Sequence, residues 1–345
     1  MATPLLQEYF QSQNQSPQAP RVLYPNDQGS NSQEPPQQHL HHFTNSTPDI
    51  QELHQIIKDM RNTASPGPDG LNAAFYKASW NWLSKDVHKL VSDFYRTASF
   101  SQEINRTYIT LIPKRMQPIL PQDFRPISLC NVIYRLIAKS LADRLKPHLP
   151  NYIDQAQSAF VKNRHISSNI FVTQEIIHSF SLKHWKCKAF ILKIDLAKAF
   201  DRLSWDFLTQ ALQRLRLHQH FINHIRACFT TASMAILVNG QPTSYFTPKQ
   251  GIRQGCPLSP FLFAVAINEL SIALNNAMQA ANLTGITLGP NCPPIHSLLF
   301  ADDLILCGAA TTLEANSIDQ ILNDFCHHFG QIPNLSKSYI HFSHC

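Results

Sequence analysis

Leu298-Leu299-Phe300-Ala301-Asp302-Asp303-Leu304-Ile305-Leu306 sets two adjacent aspartates inside an otherwise apolar run. The flanks, Ser297 to Phe300 and Leu304 to Cys307, read as two short buried strands joined through Ala301, Asp302 and Asp303. Two carboxylates side by side in an apolar setting are costly. Low dielectric penalises each charge, and like charges raise each other's pKa. Turns do accept Asp pairs, but these flanks leave little room for solvation, and a divalent cation would remove the penalty.

A third carboxylate strengthens that reading. Ala189 to Ile194 is a short buried strand that runs into Asp195, and helix-forming sequence follows it. A carboxylate at the C-terminal end of a strand lies where sheets present catalytic groups. If the hairpin packs beside this strand, Asp195 and Asp302 can hold two cations about 3.5–4 Å apart. Ligands that are all oxygen, completed by phosphate, suit magnesium.

Composition sets the frame around these residues. The 345-residue chain is 43% hydrophobic and 15% charged, enough apolar content for one large core or two smaller ones. Its net charge of +6 is compatible with a polyanionic partner without requiring one. Between Ile104 and Pro150 the charges are mostly basic: Arg106, Lys114, Arg115, Arg125, Arg135, Lys139, Arg144 and Lys146 against Asp123 and Asp143. That stretch could follow a phosphate backbone, but a solvated helix face is the simpler reading.

The 8 cysteines form no CxxC pair. MATPLLQEYF lacks the basic and apolar regions of a signal peptide. No uninterrupted apolar run approaches about 20 residues, so no bilayer span is expected. An intracellular protein, nuclear or cytoplasmic and not secreted, with reduced thiols follows as the expectation. Cys326, His327, His328, His341, His344 and Cys345 invite a zinc site, but their spacing matches no usual ligand pairing, and they read as scattered polar and core residues.

Residues 1–46 are rich in Gln, Pro, Asn and Ser and read as a disordered tail, the short HLHHF run included. Order is expected from Thr47 as N-cap and Pro48 as first helical residue, with Ile50, Leu53, Ile57 and Met60 on one helix face. SPGPDG, Ser65 to Gly70, breaks that helix. Further helices are expected at Asn72 to Ala98, Val132 to Leu149, Ser168 to Phe180, Ser204 to Ala227 and Ser259 to Ala281. A strand is expected at Tyr108 to Ile112. Another pair, Met234 to Val238 and Tyr245 to Thr247, is joined by the Asn239-Gly240 turn. Helices and short strands that mix without strict alternation give an α+β class with an antiparallel sheet.

KIDLAKAFDRLSW (193–205), QGIRQGCPLSPFLFAVAINEL (250–270) and LLFADDLILC (298–307) resemble, in order and character, the three palm motifs of reverse transcriptases. SPGPDG, TLIPK (110–114), DFRPISL (123–129) and QSAFVKNRHISSNI (157–170) are similar to those of LINE-type non-LTR retrotransposons, particularly in plants. The resemblance covers residues 50–345 and implies the fingers and palm of a right-hand polymerase, its antiparallel palm sheet backed by helices. Residues 47–107 would be a helical extension of the fingers, and residues 108–345 the fingers-palm domain.

The resemblance also implies roles. Asp195 and Asp302 would bind two Mg2+ ions (Mn2+ as an alternative), with Asp303 in support. Phe200 would be the steric gate against a ribonucleotide 2′ hydroxyl; Asp201 belongs to the same AFD pattern, its role left open, with a structural one among the options. Lys114 and Arg125 would close on the incoming triphosphate, the Arg as a fork and the Lys as a point charge. Gln254 and Gly255 would approach the templating base and nucleotide, and Lys337 in NLSKS (334–338) would protonate the leaving pyrophosphate. Partners would be an RNA template, a DNA primer and dNTPs, with no membrane; protein partners are not indicated.

Departures from the family temper this expectation. No endonuclease segment is expected ahead of the motifs within the chain. The primer-gripping segment, thumb and RNase H domain are not expected within the chain. Gln331-Ile332-Pro333 stands where relatives often carry Gly-Leu-Lys, and Pro333 could disturb a strand. Two other readings stay open: a non-catalytic retroelement remnant that keeps fold and nucleic-acid binding, and an intron maturase acting in splicing. The LINE-like upstream motifs disfavour the latter.

Overall fold

Local sequence signals start and stop most of the elements, and the computed structural model describes them over residues 46–182 and 188–343. The Gln-rich tail up to residue 45, its HLHHF run, His344 and Cys345 lie outside the described residues. Two compact units result, one formed by Asn26–Leu145 with Phe200–Ser259, the other by Lys146–Ala199 with Pro260–Cys345, as far as each is described.

The first unit opens with α1 (Ile50–Asp59) and α2 (Ala73–Thr97). The cap of α1 is Asp49, not Thr47: the Asp49 carboxylate accepts the Glu52 N–H at 2.7 Å and so satisfies a free amide of the first turn. Asn72 caps α2 in the same way at 3.0 Å, and Ala98 ends it in the left-handed region.

Strand β1 (Arg106–Pro113) follows, then β2 (Phe124–Cys130), paired antiparallel from Thr107↔Cys130 to Pro113↔Phe124. Pro126 hides β2 in the sequence. The fold accepts it because β2 is an edge strand, where a missing N–H costs no ladder bond. Helix α3 (Val132–Leu145) ends four residues before the expected Leu149.

The reading of that basic stretch as solvated surface fails at Arg144 on α3. This residue is 3% exposed, pairs with Glu52 of α1 through both terminal guanidinium nitrogens, and donates to the Ser46 and Ser140 carbonyls. Arg115 pairs with Asp123, and Lys139 with Asp143.

The second unit takes α4 (Leu149–Tyr152), α5 (Ile166–Leu182) and β3 (Ala189–Asp195). The short α6 (Ala199–Arg202) leads on to α7 (Trp205–Arg214) and α8 (Gln219–Thr230) of the first unit. One helix was expected from Ser204 to Ala227. It is broken at Leu215–His218, where Arg216 turns left-handed (φ 53°) and His218 caps α8.

Strand β4 (Ser233–Val238) runs parallel to β1 and turns at Asn239 (φ 52°) and Gly240 (φ 79°) into β5 (Gln241–Pro242). Both central residues at positive φ are what a type I′ hairpin needs. The return strand expected at Tyr245 to Thr247 shrinks to one bridge, Met234↔Phe246, because Pro242 ends the regular pairing. The first sheet thus has the order β2-β1-β4-β5 with one parallel pair.

The second unit is completed by α9 (Ser259–Gln279), β6 (Ser297–Phe300), β7 (Asp303–Ala309), α10 (Thr312–Phe329) and β8 (Tyr339–Phe342). Helix α9 is long and apolar enough by composition to cross a membrane, contrary to the expectation of no such segment. Leu262, Phe263, Val265, Ile267, Leu270 and Leu274 are buried, so it packs as a core helix.

The second sheet is antiparallel throughout, in the order β6-β7-β3-β8. Ile176 and Phe180 of α5 pack on Ala189, Ile191, Leu298 and Cys307 across one of its faces. Strand β8 is an edge whose four residues are all exposed, Tyr339, Ile340 and Phe342 among them. Pro333 leaves β8 intact, since it lies upstream and bridges Leu196 just beyond β3.

Candidate active site

The apolar strands around the aspartates place them at one end of the second sheet. Asp195, the last residue of β3, is the direct cross-strand partner of Asp303, the first residue of β7. Residues directly opposite each other on antiparallel strands project to the same face. Phe300 of β6 pairs with Asp303 from the other side, so Ala301 and Asp302 form a two-residue loop. Ala301 takes φ 54°, a position that Gly ordinarily fills in such hairpins.

The main chain of Asp195 is fixed on both sides by the NLSKS segment. Its N–H donates to Ser338 Oγ at 3.3 Å, and its carbonyl accepts the Asn334 N–H at 2.8 Å. Ser338 Oγ itself donates to the Asn334 carbonyl, closing a small loop around the strand end. Lys337 follows in a 3-10 turn and is exposed.

Of the aspartate side chains, Asp303 carries an ion pair with Lys193 Nζ at 3.1 Å. Asp302 is exposed, and Asp195 is half-buried. Their donor set is oxygen alone, which suits a hard cation. Among the described residues no three His, Cys, Asp or Glu side chains close on one point. An open carboxylate end rather than a closed cage is what Mg2+ uses when substrate phosphates complete its shell, so the residues fit that ion chemically.

The remaining candidates belong to the first unit. Lys114 follows β1, and Arg125 on β2 faces Ile112, so both lie at the free end of one hairpin. Lys114 Nζ donates to the Gln122 carbonyl at 3.1 Å. That turn is built on Asp123, whose carboxylate accepts the Leu120 and Ile119 N–H groups and the Arg115 guanidinium. These hold its pKa down at about 2.

Phe200 is half-buried on α6, and its carbonyl accepts the Ile252 N–H at 2.8 Å. Asp201 Oδ1 accepts from Gln254 Nε2 at 3.0 Å, which gives the AFD aspartate a structural task. Gly251 (φ 83°) passes so close that a Cβ would sit 2.4 Å from the Asp201 carbonyl oxygen. Gly255 (φ 103°) follows Gln254, whose carbonyl accepts the Ser128 N–H of β2 at 2.8 Å. Asp201, Gln254 and Ser128 line a cavity of about 40 Å³.

Residues 112–343, most of both units, match the family model described as reverse transcriptase (RNA-dependent DNA polymerase). The chain belongs to the reverse transcriptase family.

Its relatives include proteins of transposable elements. The transposon TX1 uncharacterized 149 kDa protein of Xenopus laevis is 30% identical over 74% of this chain and 19% of its own length. A retrovirus-related Pol polyprotein from a type-2 retrotransposable element of Drosophila melanogaster is 28% identical over 71% of this chain and 22% of its own. This reverse transcriptase chain therefore spans about a fifth of the length of the relatives it matches.

Among solved structures, apo telomerase of Candida tropicalis, truncated from its C-terminal domain, superposes with a TM-score of 0.51 at 14% identity. The match covers 81% of this chain and 59% of that one. At that identity the likeness shows the fold, the right-hand polymerase architecture.

Sequence reasoning passed over two structural parts of this reverse transcriptase. Arg253, beside Gln254, is 5% exposed. It donates to Thr107 Oγ1 at 2.8 Å, Asn105 Oδ1 at 2.6 Å and the Cys228 carbonyl, with the Tyr134 ring 3.9 Å from its Cζ. An Arg in a stretch without acidic neighbours was the available signal. Gln157, in QSAFVKNRHISSNI, is fully buried against the aspartate hairpin. For the C-terminal cluster, Cys326 is a buried thiol pushed up to about 11, His341 stacks on Phe180, and His328 Nδ1 lies 2.6 Å from the Asp324 carbonyl.

Proposed function

We propose that this chain is an RNA-directed DNA polymerase that adds deoxynucleotides to a DNA primer paired with an RNA template. One observation carries the reading: Asp195 and Asp303 are cross-strand partners, with Asp302 in the two-residue loop between them and β6. Two Mg2+ ions, or Mn2+, held by Asp195 and Asp302 with Asp303 in support, would activate the primer 3′ hydroxyl and neutralise the departing pyrophosphate.

The protein's own groups do the positioning. Asn334 and Ser338 hold the peptide groups on either side of Asp195, which supports a fixed backbone position for the residue that carries the carboxylate. Lys114 and Arg125 would bind the triphosphate from the end of the β1–β2 hairpin. Phe200 would exclude a 2′ hydroxyl, while Gln254, tied to Asp201, and Gly255 would meet the base pair. Lys337, solvent-exposed in its turn, would give a proton to pyrophosphate.

Primer extension on an RNA template with Mg2+ tests this reading, with Asp302→Ala and Asp195→Asn run alongside. Both variants should lose about a hundredfold or more in rate, as expected when charge stabilisation of the transition state is removed. Equal extension by the unaltered and Asp302→Ala chains would leave a non-catalytic retroelement remnant as the description.

A further inference from the structure

Ala301, the residue before Asp302, is in an awkward position. It is an L-residue at φ 54° in a two-residue loop, and it is 8% exposed, so water cannot readily satisfy its N–H. That N–H donates to Gln157 Oε1 at 3.4 Å. The same oxygen accepts the Ala159 N–H at 2.7 Å, and Gln157 is fully buried. Gln157 Nε2 is buried and meets no acceptor among the described residues. Two N–H donors on Oε1 fix the amide's orientation, so Gln157 acts through its oxygen.

The segment that carries Gln157 is bolted to β6. The Ser158 N–H donates to the Leu299 carbonyl at 3.0 Å, and the Leu299 N–H to the Ala156 carbonyl at 2.8 Å. Asn169 Nδ2 on α5 donates to the same Leu299 carbonyl at 3.0 Å, while its Oδ1 accepts from Ser158 Oγ at 2.7 Å. From below, Arg164 donates to the Gln157 and Ile153 carbonyls, each at 2.8 Å. All of these residues lie in the second unit, and none of these bonds reaches an aspartate side chain.

We propose that Gln157 is a positioning residue for the polymerase reaction: its side-chain oxygen holds the left-handed turn at Ala301 and so sets where Asp302 points. The inference rests on the polymerase reading of that hairpin. Gln157→Met keeps the length of the side chain and removes the acceptor. Glycine at 301 takes the same φ without strain, so Ala301→Gly relieves the hairpin of its need for Gln157.

The test compares the full chain with Gln157→Met, Ala301→Gly and the double variant. Hydrogen exchange of residues 298–306 should quicken about tenfold in Gln157→Met while that of α9 stays unchanged. In primer extension, kcat should fall about tenfold with KM for dNTP within about twofold of the unaltered chain, since misplacement acts on the chemical step. Ala301→Gly should restore most of the lost kcat.

Unchanged exchange at the hairpin overturns the proposal, as does a kcat loss that Ala301→Gly leaves undiminished. Where the Met variant is insoluble, Gln157→Asn withdraws the oxygen by one methylene and carries the same expectations. If the unaltered and Asp302→Ala chains extend primer equally, the polymerase reading fails, and the exchange measurement still decides the role of Gln157.

Discussion

Lys193 Nζ lies 3.1 Å from Asp303 Oδ1, on the diagonal of the β3–β7 pair, two residues before Asp195. Both side chains are about half exposed, so the pair contributes at most about 1 kcal/mol. Its weight is electrostatic: a cation stands where divalent cations would gather.

Lys193→Met should therefore lower the half-saturating Mg2+ concentration in primer extension, by up to about fivefold, the factor that matches roughly 1 kcal/mol. Titrating Mg2+ against extension rate measures it. A raised Mg2+ requirement would instead make Lys193 a support for Asp303, holding it in place for the ion.

Phe200→Ala should open the nucleotide site to ribose. Ribonucleotide incorporation relative to deoxynucleotide should rise by about tenfold or more if a clash with the 2′ hydroxyl sets discrimination. Competition between rNTP and dNTP on one template measures the ratio. Unchanged sugar discrimination would leave Phe200 as a packing residue only.

His224 should make stability depend on pH. Burial pushes its imidazole down to about 4, and His220 beside it pushes the same way, while Nε2 is 2.7 Å from the Tyr95 carbonyl oxygen. Between pH 6.5 and about 4 the unfolded chain binds a proton that the folded chain refuses. Stability should thus fall as pH drops through that window and level off below it, by about 3 kcal/mol for this residue. Urea midpoints of the unaltered chain and His224→Gln should converge at low pH; parallel curves would contradict the assignment.

The aspartate hairpin and β3 were legible because each sets carboxylates against continuous apolar runs, a contrast that needs no tertiary context. The Asn239-Gly240 turn was legible for the same local reason. Strand β2 was not, because Pro126 argues against a strand until an edge position is known. Arg144 looked like one more surface charge, since its partner Glu52 is 92 residues away in sequence. Gln157 and Arg253 carry no periodic or spacing signal. A buried polar side chain declares itself only when the backbone groups it satisfies are folded around it.

Strand β8 carries a practical consequence. Tyr339, Ile340 and Phe342 leave an apolar strand exposed, and among the described residues its outer edge pairs with nothing. Such an edge is a template for intermolecular strand addition. Protein made from this sequence alone should be prone to self-association in proportion to its concentration. Dilute, freshly prepared samples are therefore the ones in which catalytic measurements report on the monomer.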